Sequence, residues 1–144
     1  MSNNKIKSIP SEIGNATSLR EFFAATNQIS SIPPSIGNLS NLKIFCVQFN
    51  QITTIPEQIQ DAKSLEILSL ANNKIIELPE SMGNLSKLIE IELQNNNIST
   101  IPASFKKLGS LTYMDLSGTN TFSEKEIKNI EKMLSNVYLS FPYD

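Results

Sequence analysis

Apolar and polar residues follow a pattern along this chain that repeats every 23 residues. Three residue types with different physical uses keep the same register, so the period is not a product of chance. They are leucine (Leu19, Leu42, Leu65, Leu88, Leu111), proline (Pro10, Pro33, Pro56, Pro79, Pro102) and asparagine (Asn4, Asn27, Asn50, Asn73, Asn96). A constant period of this length indicates stacked structural repeats.

Each repeat reads L-x-x-L-x-L-x-x-N-x-I-x-x-I-P-x-x-I-x-x-L-x-x, most clearly in the third. The alternation around Leu68 and Leu70 predicts a half-buried strand. The spacing of three residues from Pro79 through Met82 to Leu85 predicts a short helical turn, which proline can start. Each unit is therefore expected to contain a strand, a tight turn and a helical or irregular return.

A single unit of this kind cannot bury its own apolar face, whereas stacked neighbours can share one core. Stacking places the strands side by side in a parallel sheet. The asparagine stands where the chain must turn, and its amide can both donate and accept hydrogen bonds. We therefore expect a structural ladder of asparagines that ties adjacent turns together: Asn27, Asn50, Asn73 and Asn96.

The motif L-x-x-L-x-L-x-x-N-x-I resembles the leucine-rich-repeat signature and covers about residues 4–122. The return I-P-x-x-I-x-x-L is similar to the 23-residue intracellular type, which occurs in signalling scaffolds and in bacterial repeat proteins. The resemblance implies an α/β solenoid, a right-handed superhelix. Its parallel β-sheet would be concave, with short helical or irregular segments on the convex side. It also implies recognition of another protein through the concave face.

The two ends differ from the five central repeats. Residues 1–18 are expected to form a partial repeat without its strand, so the strand near Glu21 would leave an edge for self-association. Residues 19–122 hold about five repeats. In residues 123–144, Ser123 and Glu126 read as a helix N-cap and its partner. Ile127, Ile130 and Leu134 follow at helical spacing and a last alternating stretch follows them, which predicts a helix-plus-strand cap.

The unspecified positions of each strand motif should point out of the concave face, because side chains alternate along a strand. Apolar types gather there in the N-terminal half and acidic types in the C-terminal half, which suggests an anchor beside a steering charge. The alternative is an ordinary solvated surface. The candidate partner-binding residues are Glu21, Phe23, Ile44, Cys46, Gln48, Phe49, Ile67, Glu90, Glu92, Tyr113 and Asp115.

The composition excludes several kinds of catalytic and metal-binding site. The chain has no histidine and one cysteine, so histidine-based catalytic pairs and histidine or thiolate metal cages are excluded. A net charge of −2 without a basic run does not favour nucleic acid. No apolar stretch approaches a membrane span, and a single cysteine suits a reducing compartment, so we expect a cytoplasmic location without membrane insertion. No cofactor or metal is expected, although Glu90, Glu92 and Asp115 could form a weak calcium site.

The sequence thus predicts a non-enzymatic module that binds a protein or peptide on its concave face. One alternative is a regulatory or targeting segment of a larger signalling enzyme such as a phosphatase or kinase. A second alternative is an extracellular receptor or effector ectodomain. The partner itself has no signature in the sequence.

Overall fold

The computed structural model describes residues 2–119 and 121–142. Within these residues the chain forms one parallel sheet of six short strands, ordered along the sheet as they are along the sequence. The strands are β1 (Glu21–Phe23), β2 (Ile44–Cys46), β3 (Ile67–Ser69), β4 (Glu90–Glu92), β5 (Tyr113–Asp115) and β6 (Tyr138–Ser140). The parallel solenoid expected from the repeat is confirmed.

The 23-residue period sets the register of the sheet. Residues one period apart lie directly opposite each other, so Phe22 pairs with Phe45, and Phe45 with Leu68. The pairing continues through Ile91 and Met114 in β4 and β5. These five central residues are all buried on the same face. One face of the sheet therefore belongs to the core along its whole length.

The return segments are 3₁₀-helices of five residues each, and each begins directly after the repeated proline. Their bounds are Ser11–Asn15, Pro34–Asn38, Glu57–Asp61, Glu80–Asn84 and Ala103–Lys107. The proline has an extended backbone (φ −68° and ψ 143° at Pro56), and its carbonyl accepts the first helical hydrogen bond, from Ile59 N–H at 3.0 Å. Proline thus precedes the helical turn, because its fixed φ suits the entry and its carbonyl still accepts.

The core lies between the sheet and the 3₁₀-helices. The leucine that opens each repeat, the central strand residue and the first isoleucine of the return all turn inward. In the second repeat Leu42, Phe45 and Ile52 are completely buried. The Phe22 and Phe45 rings stack with centroids 5.2 Å apart, so the packing continues from one repeat to the next.

The repeated asparagines are buried and connect consecutive turns. The Asn73 side-chain amide donates to the carbonyls of Val47 (3.1 Å) and Leu70 (3.0 Å), which belong to two neighbouring repeats. Its carbonyl oxygen accepts from Ile52 N–H at 3.0 Å. Asn50 and Asn96 have the same three kinds of partner. At the N-terminal end Asn27 accepts from the backbone of residues 4 and 6.

The C-terminal segment contains helix α1 (Glu124–Met133), which begins at Ser123. The Ser123 hydroxyl accepts from Glu126 N–H at 3.1 Å, as an N-cap should. The Glu126 carboxylate accepts from Ile101 N–H at 3.3 Å, which ties the helix to the last repeat. On the inner side Ile130 and Leu134 are buried, whereas Ile127, expected to be buried, is only half-buried.

The N-terminal segment covers the first repeat more fully than the sequence predicts. Asn3 N–H donates to Ala25 carbonyl, and Gln28 N–H to Ile6 carbonyl, so residues 3–6 lie along the turn after β1. Phe22 is 4% exposed and Ile29 0%, which leaves little core surface to drive association at this end. β1 is an edge strand of the described sheet, and self-association through it stays a prediction.

Among the described residues, none of the helices combines the length and the apolar character that crossing a bilayer requires.

The first testable prediction concerns the buried amide of Asn73. Asn73→Ala removes the acceptor of Ile52 N–H and the donor to Val47 carbonyl, so buried backbone groups lose their partners. We expect urea denaturation to show a loss of roughly 1–3 kcal/mol in the free energy of unfolding. Asn97→Ala, at an exposed asparagine, is the matched control and should change it little. Equal effects of the two substitutions would contradict a structural role for the ladder.

The second prediction concerns α1. Ile130 is completely buried, so Ile130→Ala should cost about 2–5 kcal/mol through lost packing and a residual cavity. Lys128→Ala on the exposed side of the same helix keeps helix propensity and serves as the control. Denaturant titration followed by circular dichroism measures both. A loss below about 1 kcal/mol for Ile130→Ala would mean that α1 does not close the core.

Candidate functional site

The sheet face opposite the core, called the open face here, consists of two rows of side chains. Strand register aligns the rows across the sheet. The first row is Glu21, Ile44, Ile67, Glu90, Tyr113 and Tyr138, and the second is Phe23, Cys46, Ser69, Glu92, Asp115 and Ser140. Just beyond the strands, Gln48 and Phe49 and their equivalents in the other repeats extend the same surface.

The apolar part of the open face is defined by Phe23, Ile44, Phe49 and Ile67, the apolar patch. Phe23 is 47% exposed and Phe49 55%, although both rings are large and apolar. Ile44 and Ile67 are half-buried and lie opposite each other on β2 and β3. The apolar residues that the sequence assigned to this surface thus lie on the same side of the sheet, and both phenylalanines remain about half exposed.

The burial of Cys46 differs from what the sequence predicts. Its position in the strand predicts a side chain that a partner could contact, but this side chain is only 9% exposed. It is a small residue between Phe23 on β1 and Ser69 on β3, so its neighbours cover it. Ser69 itself is 2% exposed. The prediction of a surface-exposed Cys46 is wrong, and its sulfur offers little area to a partner.

The acidic part of the open face is defined by Glu90, Glu92 and Asp115, the acidic patch. All three carboxylates are half-buried on the adjacent strands β4 and β5. Glu92 accepts a hydrogen bond from the Ser69 hydroxyl. Asp115 accepts from Ser117 N–H at 2.9 Å and from the Tyr113 hydroxyl at 3.3 Å. These bonds hold the Glu92 and Asp115 carboxylates in place before any ligand arrives.

The negative potential of the acidic patch reaches other groups on the face. Burial raises the pKa of the Cys46 thiol, and the charges of Glu92 and Glu90 raise it further. Burial also raises the pKa of Tyr113, with the charge of Asp115 next and its hydrogen bond after that. Both effects have the sign expected where negative charge disfavours a second anion. A cation would be stabilised on the same surface.

The third prediction uses Cys46 as a reporter of this potential. Glu92→Gln removes one of the charges that raise the thiol pKa, so a larger thiolate fraction should exist at pH 8. We expect iodoacetamide to alkylate Cys46 faster in Glu92→Gln than in the wild type, as measured by intact-mass spectrometry. Glu124→Gln, an exposed site on α1, is the charge-matched control. Unchanged alkylation in Glu92→Gln would show that the carboxylate does not influence this part of the face.

Tyr138 lies on the open face and was not among the residues chosen from the sequence. It is 71% exposed, and its ring stacks on Tyr113 with centroids 5.8 Å apart and planes 11° from parallel. Its strand, β6, follows α1 and falls outside the 23-residue period, so counting by repeats did not reach it. The alternation of Val137, Leu139 and Phe141 was the available signal, because it sends Tyr138 to the opposite side.

The backbone turns sharply at the eighth position of each repeat. Thr26, Phe49, Asn72, Asn95 and Gly118 all have positive φ, between 54° and 65°. Asparagine and glycine are the residues that usually adopt this conformation. At Gly118 an added Cβ would also collide with the Asn95 side-chain oxygen. Phe49 is therefore an aromatic residue in a position where the fold itself favours asparagine or glycine.

The described residues contain no group of three or more His, Cys, Asp or Glu side chains arranged to hold a metal ion. The weak calcium site considered for Glu90, Glu92 and Asp115 thus finds no support in the geometry. The three carboxylates are instead engaged with neighbouring hydroxyl and amide groups or remain open to a cationic group.

Comparison with known proteins gives the family context. Residues 64–121 match the family model described as leucine rich repeat. No curated protein matches the chain significantly. Among solved structures 379 chains match, so the architecture is common and does not by itself specify a partner.

One of these structures is that of a leucine-rich-repeat protein from Leptospira interrogans. It is 34% identical to this chain and superimposes with a TM-score of 0.93. The match covers 96% of this chain and 35% of the other. The chain thus spans about a third of the length of the bacterial protein that it resembles.

Proposed function

We propose that this chain, which is a leucine-rich-repeat protein, binds another protein or a peptide through the open, concave face of its sheet and acts without catalysis. The observation that carries the proposal is Phe49, an aromatic residue that is 55% exposed on the same surface as the half-buried Ile44 and Ile67. The free cysteine supports a reducing, cytoplasmic setting as part of the same proposal.

The fold does not need an aromatic residue at position 49. Its φ of 58° is left-handed, and a residue with a Cβ pays roughly 1–2 kcal/mol there unless it is asparagine or aspartate. In the next two repeats the equivalent residues are Asn72 and Asn95, and Asn95 donates to Asn72 at 3.0 Å. The aromatic ring thus replaces a conformationally better residue and gains exposed surface. A binding role accounts for that exchange, because exposed aromatic residues often anchor partners.

The apolar patch and the acidic patch would contribute to binding in different ways. Aromatic and aliphatic side chains gain most when a partner covers them and excludes water, so the apolar patch would supply the affinity. The acidic patch is half-exposed at the other end of the face, where charges mainly steer association and select a partner of opposite charge. The expected partner surface is therefore apolar at one end and basic at the other.

The fourth prediction separates stability from binding at position 49. Phe49→Asn and Phe49→Ala both remove the ring, but only asparagine tolerates the left-handed backbone well. Phe49→Asn should therefore be more stable than Phe49→Ala by roughly 1 kcal/mol, or about 3 °C in Tm for a chain of this size. Calorimetry of the two variants measures the difference. Equal Tm values would contradict the strain at this position.

Binding is tested with the same variants. Immobilised wild type should enrich specific proteins from a lysate of the source organism, and Phe49→Asn should lose them while staying fully folded. Lys107→Glu, an exposed site on the side of the 3₁₀-helices, is the control and should retain them. For a purified partner we expect a loss of about thirtyfold in Kd or more, which corresponds to roughly 2 kcal/mol. Loss of binding in Lys107→Glu alone would place the partner on the convex side.

A further inference from the structure

Tyr113, Tyr138 and the acidic patch form one continuous surface at the C-terminal end of the open face. We propose that this surface receives an arginine side chain of an extended partner segment, and that an apolar side chain about four residues away in that segment occupies the apolar patch. The inference rests on the proposed function, since it specifies the chemistry of the partner at the same face.

The two tyrosine rings provide a platform. They are stacked and nearly parallel, and Tyr138 is 71% exposed, more than Phe23 or Phe49 on the same face. Strand register places Glu90 beside Tyr113 on the side away from Tyr138, and Asp115 is joined to the Tyr113 hydroxyl. An aromatic surface bordered by carboxylates attracts a cation through the ring quadrupole and through direct charge.

The charged residues at the outward positions of the five repeats are all acidic. The four outward positions in each of the five repeats hold twenty residues, among which are three glutamates and one aspartate but no lysine or arginine. The nearest basic residues in these repeats are Arg20 and Lys43, each one position before the face, and Lys43 pairs with Glu66 at 3.4 Å. Burial is the first cause of the raised pKa of Tyr113 and of Cys46, and the carboxylates of the face raise both pKa values further. A cationic partner group is therefore favoured over a neutral or anionic one.

The arrangement favours arginine over lysine. A guanidinium is planar, so it can stack on the Tyr113–Tyr138 platform and at the same time donate along its edge to a carboxylate. Asp115 and Glu92 are held in fixed positions by Ser117 N–H and the Ser69 hydroxyl, and a carboxylate retains further acceptor capacity after one bond. A lysine ammonium is a strongly hydrated point charge that cannot stack as a plane on the rings, so it would gain less from the platform than a guanidinium does.

The proposed spacing of four residues between the two partner side chains follows from the geometry of the sheet. The platform begins at β5 and the apolar patch reaches β2, three strands away in the sheet order. Adjacent strands lie roughly 4.8 Å apart, which places Tyr113 on β5 and Ile44 on β2 about 14 Å apart, and an extended chain advances about 3.3 Å per residue. Four residues of an extended segment cover that distance. Side chains four residues apart also point the same way from an extended backbone, so both can face the sheet.

The fifth prediction uses synthetic peptides as probes. A segment with phenylalanine and arginine four residues apart is compared with peptides in which citrulline or lysine replaces the arginine, and with spacings of two and six residues. Citrulline keeps the shape and planarity of arginine without its charge. We titrate each into isotopically labelled full-length protein and follow backbone amide shifts by NMR.

The arginine peptide with a spacing of four should bind at least about tenfold more tightly than its citrulline counterpart, with lysine between them. Amide shifts should change at residues 90–92, 113–115 and 138–140 as well as near Phe49. Tyr138→Ala and Glu92→Gln should reduce the difference between the arginine and citrulline peptides. Tyr138→Phe keeps the ring and should preserve it, and Glu124→Gln on α1 is the control for net charge.

Three outcomes would contradict all or part of the inference. If arginine and citrulline peptides bind equally and Phe49→Asn weakens both, the arginine site is wrong while the proposed function stands. If no peptide changes the amide shifts of the open face, the arginine site is also wrong, and the lysate capture with Phe49→Asn then decides the proposed function separately. A difference that persists unchanged in Tyr138→Ala would exclude the tyrosine platform as its source.

Discussion

The buried asparagine amide is the interaction on which the rest of this structure depends. Each strand has only three residues, and a strand so short cannot specify its own register through pairing with its neighbours alone. The amide of Asn73 joins Val47 and Leu70 carbonyls to Ile52 N–H, so a single side chain satisfies backbone groups from three segments. An unpaired buried backbone group destabilises the folded state. These hydrogen bonds therefore allow only one register between neighbouring repeats.

The fixed register has a consequence for function. It aligns equivalent residues into rows, with one face of the sheet given to the core and the other left open. The core requirements are met by Leu42, Phe45 and their equivalents, so the outward positions are free to vary without loss of the fold. The outward positions are occupied unevenly: the apolar patch lies toward one end, and the acidic patch lies toward the other together with the Tyr113–Tyr138 stack. A surface of this kind can hold an extended segment and read its side chains in order along the sheet.

The ends show how far the repeat determines the structure. Asn3 and Ile6 bond to the turn after β1 and help to cover Phe22, whose exposure falls to 4%. At the other end α1 and β6 abandon the 23-residue period but continue the sheet, and β6 adds Tyr138 to the open face. Both segments behave as parts of the solenoid, although neither carries the full motif.

The architecture, the strand positions and the asparagine ladder were predictable from the sequence, because they follow from a pattern that recurs in every repeat. The helix that begins after Ser123 lies outside that pattern and was predictable from its N-cap and its own apolar spacing. It also assigned Phe23, Ile44, Phe49 and Ile67 to one face, since alternation along a strand is a local rule. The exposed fraction of each side chain, by contrast, follows only from the tertiary structure. Cys46 is covered because Phe23 and Ser69 flank it on the neighbouring strands. The Tyr113–Tyr138 stack joins residues from two different kinds of segment, and the strain at Phe49 exists only once the turn is formed. Exposure, ring stacking and backbone conformation depend on neighbours that are distant in sequence or on a closed turn, and no local pattern encodes them.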